Sequence, residues 1–451
     1  MLFFQTSNTI FLLFNVEGQL PLIRMFPSTN SSGFPPVGGY PGYSVETTTL
    51  DNKIIVAAVN NCSALARVSI TFRAGTRYES YGTRGVTQYL KVSAGCTTKG
   101  YSRFAIMRNL QELCTPLTCS VGRETISYTL EGEKCNVERA LVYLADVALN
   151  TCFKHWEVNE NIPRLDIELE NRTPQQFVID LIHQAAYRSS GLGNSIYIAK
   201  HRLNNVSIEQ LQDYVSNYFV AKNCAVVGAG ISIKKLIEFA RCIDVPKGRC
   251  ENYTPSKIVA GEIRSEKGGC LSHVAIAAEG GCLRDARELL SFAILQRVVG
   301  SGTYIKHTNE NSSLLSNTYY PDSVRAFNFN YSDSGLFGVL ITASYTKIPC
   351  IIESVYNILK QAKISTGDFE RGKVQAKASF LMTAESACNY LENIANQALA
   401  TECVPNPCEI FEAFEHITQN DLKEAADKVT RGKFSIASVG QLSTVPYLSD
   451  L

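Results

Sequence analysis

A chain of 451 residues with 45% hydrophobic and 19% charged residues has the make-up of an ordinary globular protein and is long enough for two or more domains. Its net charge of +1 argues against a broad nucleic-acid footprint, which needs an excess of Lys and Arg. No apolar run reaches the roughly 18 to 20 residues that cross a bilayer, so any membrane association is expected to come only through partners.

Residues 1–45 read as an N-terminal arm or presequence-like segment. The apolar patch Ile10 to Phe14 is too short for a secretory core, and Arg24 is the lone basic residue among the first 25. The Pro/Gly/Ser-rich stretch Pro27 to Tyr43 has the composition of a tether. An apolar strand is predicted over VSITFRAGTRYE (Val68 to Glu79), followed by a short helix opening in GVTQYLKVSAGCTTKG (Gly85 to Gly100). That helix reads as the remains of a metal site. A helical zinc site places two His at i and i+4 on one face with a Glu general base between them. The positions here hold Gln88, Lys91 and Val92. Val92 has no lone pair, Lys91 would set a cation beside a dication, and a lone Gln88 amide is a poor zinc ligand.

Other chemistry is equally thin. The histidines are His155, His183, His201, His273, His307 and His416, and no two lie within five residues of each other. A zinc helix of either direction is therefore excluded. His183, among apolar residues of a predicted helix, reads as a satisfied core or boundary histidine. The acidic run Leu165 to Glu170 reads as a solvated helix face, or more sharply as a vestigial carboxylate ligand. The 15 cysteines contain no C-x-x-C pair and read as free thiols packed as small hydrophobes. VVGSGT (Val298 to Thr303) follows a helix rather than a strand, the wrong order for a phosphate loop, and no G-x-S-x-G elbow occurs.

The halves repeat each other. VSIEQL places Ser207 and Gln210 as a capping box with Val206 and Leu211 as a staple. ITQNDL repeats this with Thr418, Asp421, Ile417 and Leu422. Each is followed by a helix and an apolar strand ending in glycine, CAVVGAG (Cys224 to Gly230) and FSIASVG (Phe434 to Gly440). Helix Val137 to Asn150 answers Ile351 to Ala362, strand Ser127 to Gly132 answers Gly338 to Ala343, and helix Phe177 to Tyr187 answers Tyr390 to Leu399. Shared order at a shared offset is the signature of duplication. The expected fold is α+β: two similar lobes, 46–244 and 263–451, joined by a linker over 245–262. Each lobe is expected to be a mostly antiparallel sheet covered by helices, the two facing each other like a clam. Within the second, Phe327 to Ser344 reads as a hairpin turning through Ser332, Asp333 and Ser334.

FRAGTRYE, the GVTQYLKV helix and NYSDSGLFG together make the chain resemble the pitrilysin-type (insulinase-like) metallopeptidase family, over roughly Tyr43 to Leu451. The family's first His, catalytic Glu and second His fall on Gln88, Lys91 and Val92. Its distal Glu ligand falls near Asp166 or Glu168, and its substrate-assisting tyrosine of the second half falls on Tyr331, which marks a possible vestigial groove. The resemblance implies shape without peptidase chemistry, no metal and no cofactor. Within the family it points to the non-catalytic core subunits of ubiquinol–cytochrome c reductase. It then implies a companion core subunit, cytochrome b, cytochrome c1 and the iron–sulfur protein as partners in a dimeric complex, on the matrix side of the mitochondrial inner membrane. The alternative within the family is the non-catalytic alpha subunit of the mitochondrial processing peptidase. The long glycine-rich loop of that subunit is not matched by Gly300 to Ser313, which holds only Gly300 and Gly302.

Overall fold

The computed structural model describes residues 44–60, 63–188, 191–248, 255–300, 313–317, 324–361, 364–385, 387–402 and 404–451. The expected arm up to residue 43 and the glycine-poor region 301–312 lie outside these residues. The first half runs β1 (Ser44–Thr49), β2 (Ile55–Asn60), β3 (Leu65–Phe72), α1 (Val86–Val92), α2 (Arg103–Glu112), β4 (Leu117–Val121) and β5 (Ile126–Glu133). It continues with α3 (Lys134–Leu149), α4 (His155–Glu170), α5 (Pro174–Tyr187), α6 (Ile208–Tyr218), β6 (Cys224–Ala229) and α7 (Ile233–Cys242). The second half runs β7 (Glu262–Glu266), β8 (Leu271–Glu279), α8 (Ala286–Val299), β9 (Val324–Asn330), β10 (Gly335–Ser344) and α9 (Ile348–Gln361). It ends with α10 (Thr366–Glu385), α11 (Ala387–Thr401), α12 (Pro407–His416), α13 (Gln419–Arg431) and β11 (Ser435–Gly440).

Two sheets result, ordered β1-β2-β6-β3-β5-β4 and β7-β11-β8-β10-β9. With β1 set aside the orders correspond strand for strand, and the parallel pairs, β2 with β6 and β7 with β11, also correspond. The remaining neighbours are antiparallel. The capping boxes close as reciprocal pairs, Ser207 with Gln210 ahead of α6 and Thr418 with Asp421 ahead of α13. The staple residues Leu211 and Leu422 are fully buried beneath them.

One expected strand is shorter than the sequence implied. β3 stops at Phe72, because the N–H groups of Arg73, Gly75 and Arg77 turn to donate to the carbonyls of Asn223, Glu124 and Arg123. Gly75 makes this possible: a Cβ there would sit 2.4 Å from the Arg123 backbone.

The halves do not simply face each other. Strands β2, β6, β8 and β11 are buried on both faces. One face of each sheet packs on helices of its own half, forming the two largest cores. The other face is covered by a helix from the opposite half. Val178, Ile182 and Ala186 of α5 pack on Ala275, Leu336 and Val439 of the second sheet. Leu391, Ile394 and Ala398 of α11 pack on Ile55, Val227 and Ala229 of the first. The repeated helices are thus exchanged, and each closes the other half's core.

Candidate functional site

Helix α1 is anchored at its start by a buried carboxylate. Glu79 accepts hydrogen bonds from the N–H groups of Gly85 (3.0 Å) and Thr87 (2.9 Å) and from the Thr87 hydroxyl (2.7 Å). It supplies the cap that Gly85, at φ +94° and without a side chain, cannot. Burial pushes the Glu79 carboxyl up to about 7, against these donors, which favour the charged form. Gly85 is confined sterically as well: a Cβ there would meet Ile198 at 2.6 Å.

The three positions read as degenerate ligands are engaged elsewhere. Gln88 is buried, and its Nε2 donates to the Ile196 carbonyl at 2.5 Å. The Lys91 ammonium is ion-paired with Glu168 of α4. Val92 packs against the first core. Asp166 lies one step aside, its Oδ1 3.5 Å from Lys200 Nζ. Thus Lys91 brings Glu168, rather than Asp166, against α1. This donor set does not fit zinc: one position has no lone pair, one has its amide N–H committed to a carbonyl, and one places a cation where the metal would stand.

Tyr331 is found where the halves meet. Its hydroxyl donates to His183 Nε2 of α5 at 2.8 Å, while Nδ1–H of His183 donates to the Ile179 carbonyl at 2.6 Å. Burial, with the Arg123 guanidinium nearby, holds the His183 imidazole well below its usual range, so the ring is neutral and free to accept from Tyr331. The structure links the two expected regions through a polar chain. Gln88 bonds Ile196, Ile196 N–H donates to Asp180 (3.2 Å), Asp180 pairs with Arg123 (2.8 Å), and Arg123 lies beside the Tyr331 hydroxyl.

Sequence reasoning missed the strongest polar feature, a clamp between the halves. Arg77, its side chain 1% exposed, makes a bidentate pair with Asp333 in the β9–β10 turn and a 2.5 Å bond to Glu124 in the β4–β5 turn. Burial alone would depress the guanidinium, and the Asp333 and Glu124 carboxylates more than reverse this. Glu124 in turn accepts from the Ser332 N–H (3.1 Å) and hydroxyl (2.6 Å), and Ser256 N–H donates to Asp333 at 2.8 Å. Tyr187 and Ser334 hydroxyls meet at 3.0 Å alongside. Arg77 and Asp333 both stand in the quoted motifs FRAGTRYE and NYSDSGLFG, but nothing in either motif names the other as its partner.

Two α+β halves of matching strand order, each lending a helix to the other's sheet, define a duplicated two-lobe protein whose α1 carries Gln88, Lys91 and Val92. Residues 55–200 match the model of the insulinase family (peptidase family M16), and residues 205–375 match the M16 inactive domain. The chain belongs to the insulinase (M16 peptidase) family.

Among its relatives, mitochondrial cytochrome b-c1 complex subunit 2 of Rattus norvegicus is 33% identical over 427 residues, covering 92% of this chain and 94% of the relative. Its counterpart in Homo sapiens is 31% identical over 440 residues, covering 95% and 97%. The mitochondrial-processing peptidase subunit alpha of Homo sapiens is more distant, at 24% over 461 residues, covering 95% and 88%. A chain in the solved structure of complex III2 from Candida albicans with Inz-5 bound shares the fold, with a TM-score of 0.79 at 18% identity, covering 90% of this chain and 98% of that one.

Proposed function

We propose that the chain is core protein 2 of mitochondrial ubiquinol–cytochrome c reductase (complex III), a structural subunit that supports assembly and stability and carries out no peptidase chemistry. The observation that carries this reading is the near full-length similarity to cytochrome b-c1 complex subunit 2, in a chain whose zinc-helix positions are Gln88, Lys91 and Val92. In this reading core protein 1, cytochrome b, cytochrome c1 and the iron–sulfur protein are its partners, the complex is dimeric, and the chain holds no cofactor. No helix among the described residues is long and apolar enough to cross a membrane, in keeping with peripheral attachment through partners on the matrix side of the inner membrane. Gln88, Lys91, Val92 and the α4 carboxylates Asp166 and Glu168 are the vestiges of the metal site, and Tyr331 is the vestige of a substrate groove.

The test is subunit identification in the isolated complex. The chain is expected to co-migrate with cytochrome b and c-type haem on native gels, and recovery only as a free protein would overturn the assignment. The alternative, an alpha-type partner of the processing peptidase that binds presequences, has the support of the more distant similarity. It predicts that the chain restores presequence cleavage when mixed with a catalytic beta-type subunit.

A further inference from the structure

Beside the start of α1, where residues 79–85 meet the end of α5, the 193–205 segment and β7 of the other half, lies a pocket of about 720 Å³. Three arginines line it, Arg84, Arg188 and Arg202, and none of them forms an ion pair among the described residues. Arg202 donates to the Tyr81 and Gly82 carbonyls (2.7 and 2.6 Å), neutral acceptors that fix its guanidinium and leave its charge uncompensated. Arg84 rests over the Tyr81 ring, 5.1 Å from its centroid, and its Nε is buried without an acceptor. Arg188, exposed, ends α5 at φ +54° with no side-chain partner among the described residues. The one carboxylate on the wall, Glu79, has both oxygens taken by Gly85 and Thr87. Asn194, 5% exposed, also lines the pocket. Its Nδ2 is held by the Thr76 and Glu79 carbonyls, and its Oδ1 accepts from nothing among the described residues.

The buried guanidinium groups of Arg77 and Arg123, by contrast, are paired with carboxylates. Three uncompensated guanidinium groups around one concavity, with an orphaned donor on Arg84 and an orphaned acceptor on Asn194, call for an anion that also carries a donor. Guanidinium forks match the oxygens of a phosphate. The volume lies within the about 300–1,000 Å³ of small-molecule sites, which favours a compact ligand over a length of polypeptide. The apolar wall of Ile198 and Ile263 gives that ligand more to touch than a bare ion would use. We infer that this pocket binds a phosphate-bearing group, from a soluble phosphorylated compound or a phospholipid head, with the phosphate held by Arg84, Arg188 and Arg202 and a hydroxyl or amino group donating to Asn194. This goes beyond the assembly reading above and does not depend on it.

The test titrates the full chain with inorganic pyrophosphate by calorimetry and, separately, sediments it with phosphatidylcholine vesicles containing phosphatidic acid. Saturable binding of at least one probe, at one site per chain, is expected; pyrophosphate marks a soluble ligand, and binding to the vesicles alone marks a lipid head. Arg84→Gln with Arg188→Gln is expected to weaken that binding by about tenfold or more. Arg188→Gln alone, at an exposed side chain that no fold contact needs, is expected to weaken it by about threefold or more. Arg108→Gln with Arg139→Gln removes the same charge from exposed positions outside the pocket and is expected to leave binding unchanged. No binding of either probe, an equal loss in the two double variants, or tighter binding of succinate or of an acidic peptide than of either phosphate probe would overturn the inference.

Discussion

Arg77 shows how much one residue carries. Its guanidinium is out of water and neutralises two carboxylates from different turns, Asp333 at 7% and Glu124 at 17% exposure. Arg77→Met would strand both, at a cost of about 3–5 kcal/mol. Denaturant titration should show this as a lowered midpoint, and adding Asp333→Asn should recover part of the loss, because the second change removes a charge that has lost its partner. A variant no less stable than the parent would mean that the clamp contributes nothing. His183 makes a prediction in pH. Its folded-state affinity for a proton is depressed, so below its unfolded value of about 6.5 the unfolded chain gains a proton that the folded chain refuses. Its contribution is therefore present above that pH and falls by about 1.4 kcal/mol per unit as pH drops beneath it. The facing groups are Arg123, Tyr187, Tyr331 and Phe329, of which only Arg123 is charged in this range. The stability gap between the chain and His183→Gln should narrow on acidification, and a gap independent of pH from 7 to 5 would contradict the assignment.

The elements were legible wherever the signal is local. The caps Ser207 and Thr418 and the apolar runs of β6 and β11 announce themselves within a few residues, and the turn through Ser332 to Ser334 does the same for β9 and β10. That Gln88, Lys91 and Val92 are poor zinc donors was legible for the same reason. What periodicity cannot convey is which surface an apolar face will meet. α5 and α11 each display a buried stripe, but nothing in FVIDLIHQAAY or YLENIANQAL says that its stripe belongs to the sheet of the other half. The ion pair of Lys91 with Glu168 was hidden likewise, since a register on α4 settled only to within a couple of residues leaves Asp166 and Glu168 equally eligible. β3 ended early because its continuation bonds to turns reached through Gly75, a close approach that no strand propensity encodes.

At the scale of the molecule, exchange makes the two halves one folding unit. Separated from α11, the first sheet would show water the face formed by Val45, Ile55, Ala57, Val59, Val227 and Ala229. A fragment spanning residues 44–248 is expected to aggregate or to bind hydrophobic dyes, and mixing it with residues 255–451 should restore a soluble, compact species by sedimentation. A monodisperse, cooperatively unfolding first half would refute the dependence.

The same exchange sets a timetable for biosynthesis. The apolar face of the first sheet is complete once β6 has left the ribosome, and from there to Leu399, at about 5–20 residues per second, the wait is on the order of 10 to 30 seconds. Throughout that interval the face is uncovered, and a chaperone that holds apolar segments is expected to bind it. A stop codon just ahead of Tyr390 would be as ruinous as one near the start of the message, since it yields not a shorter protein but one with an open wound.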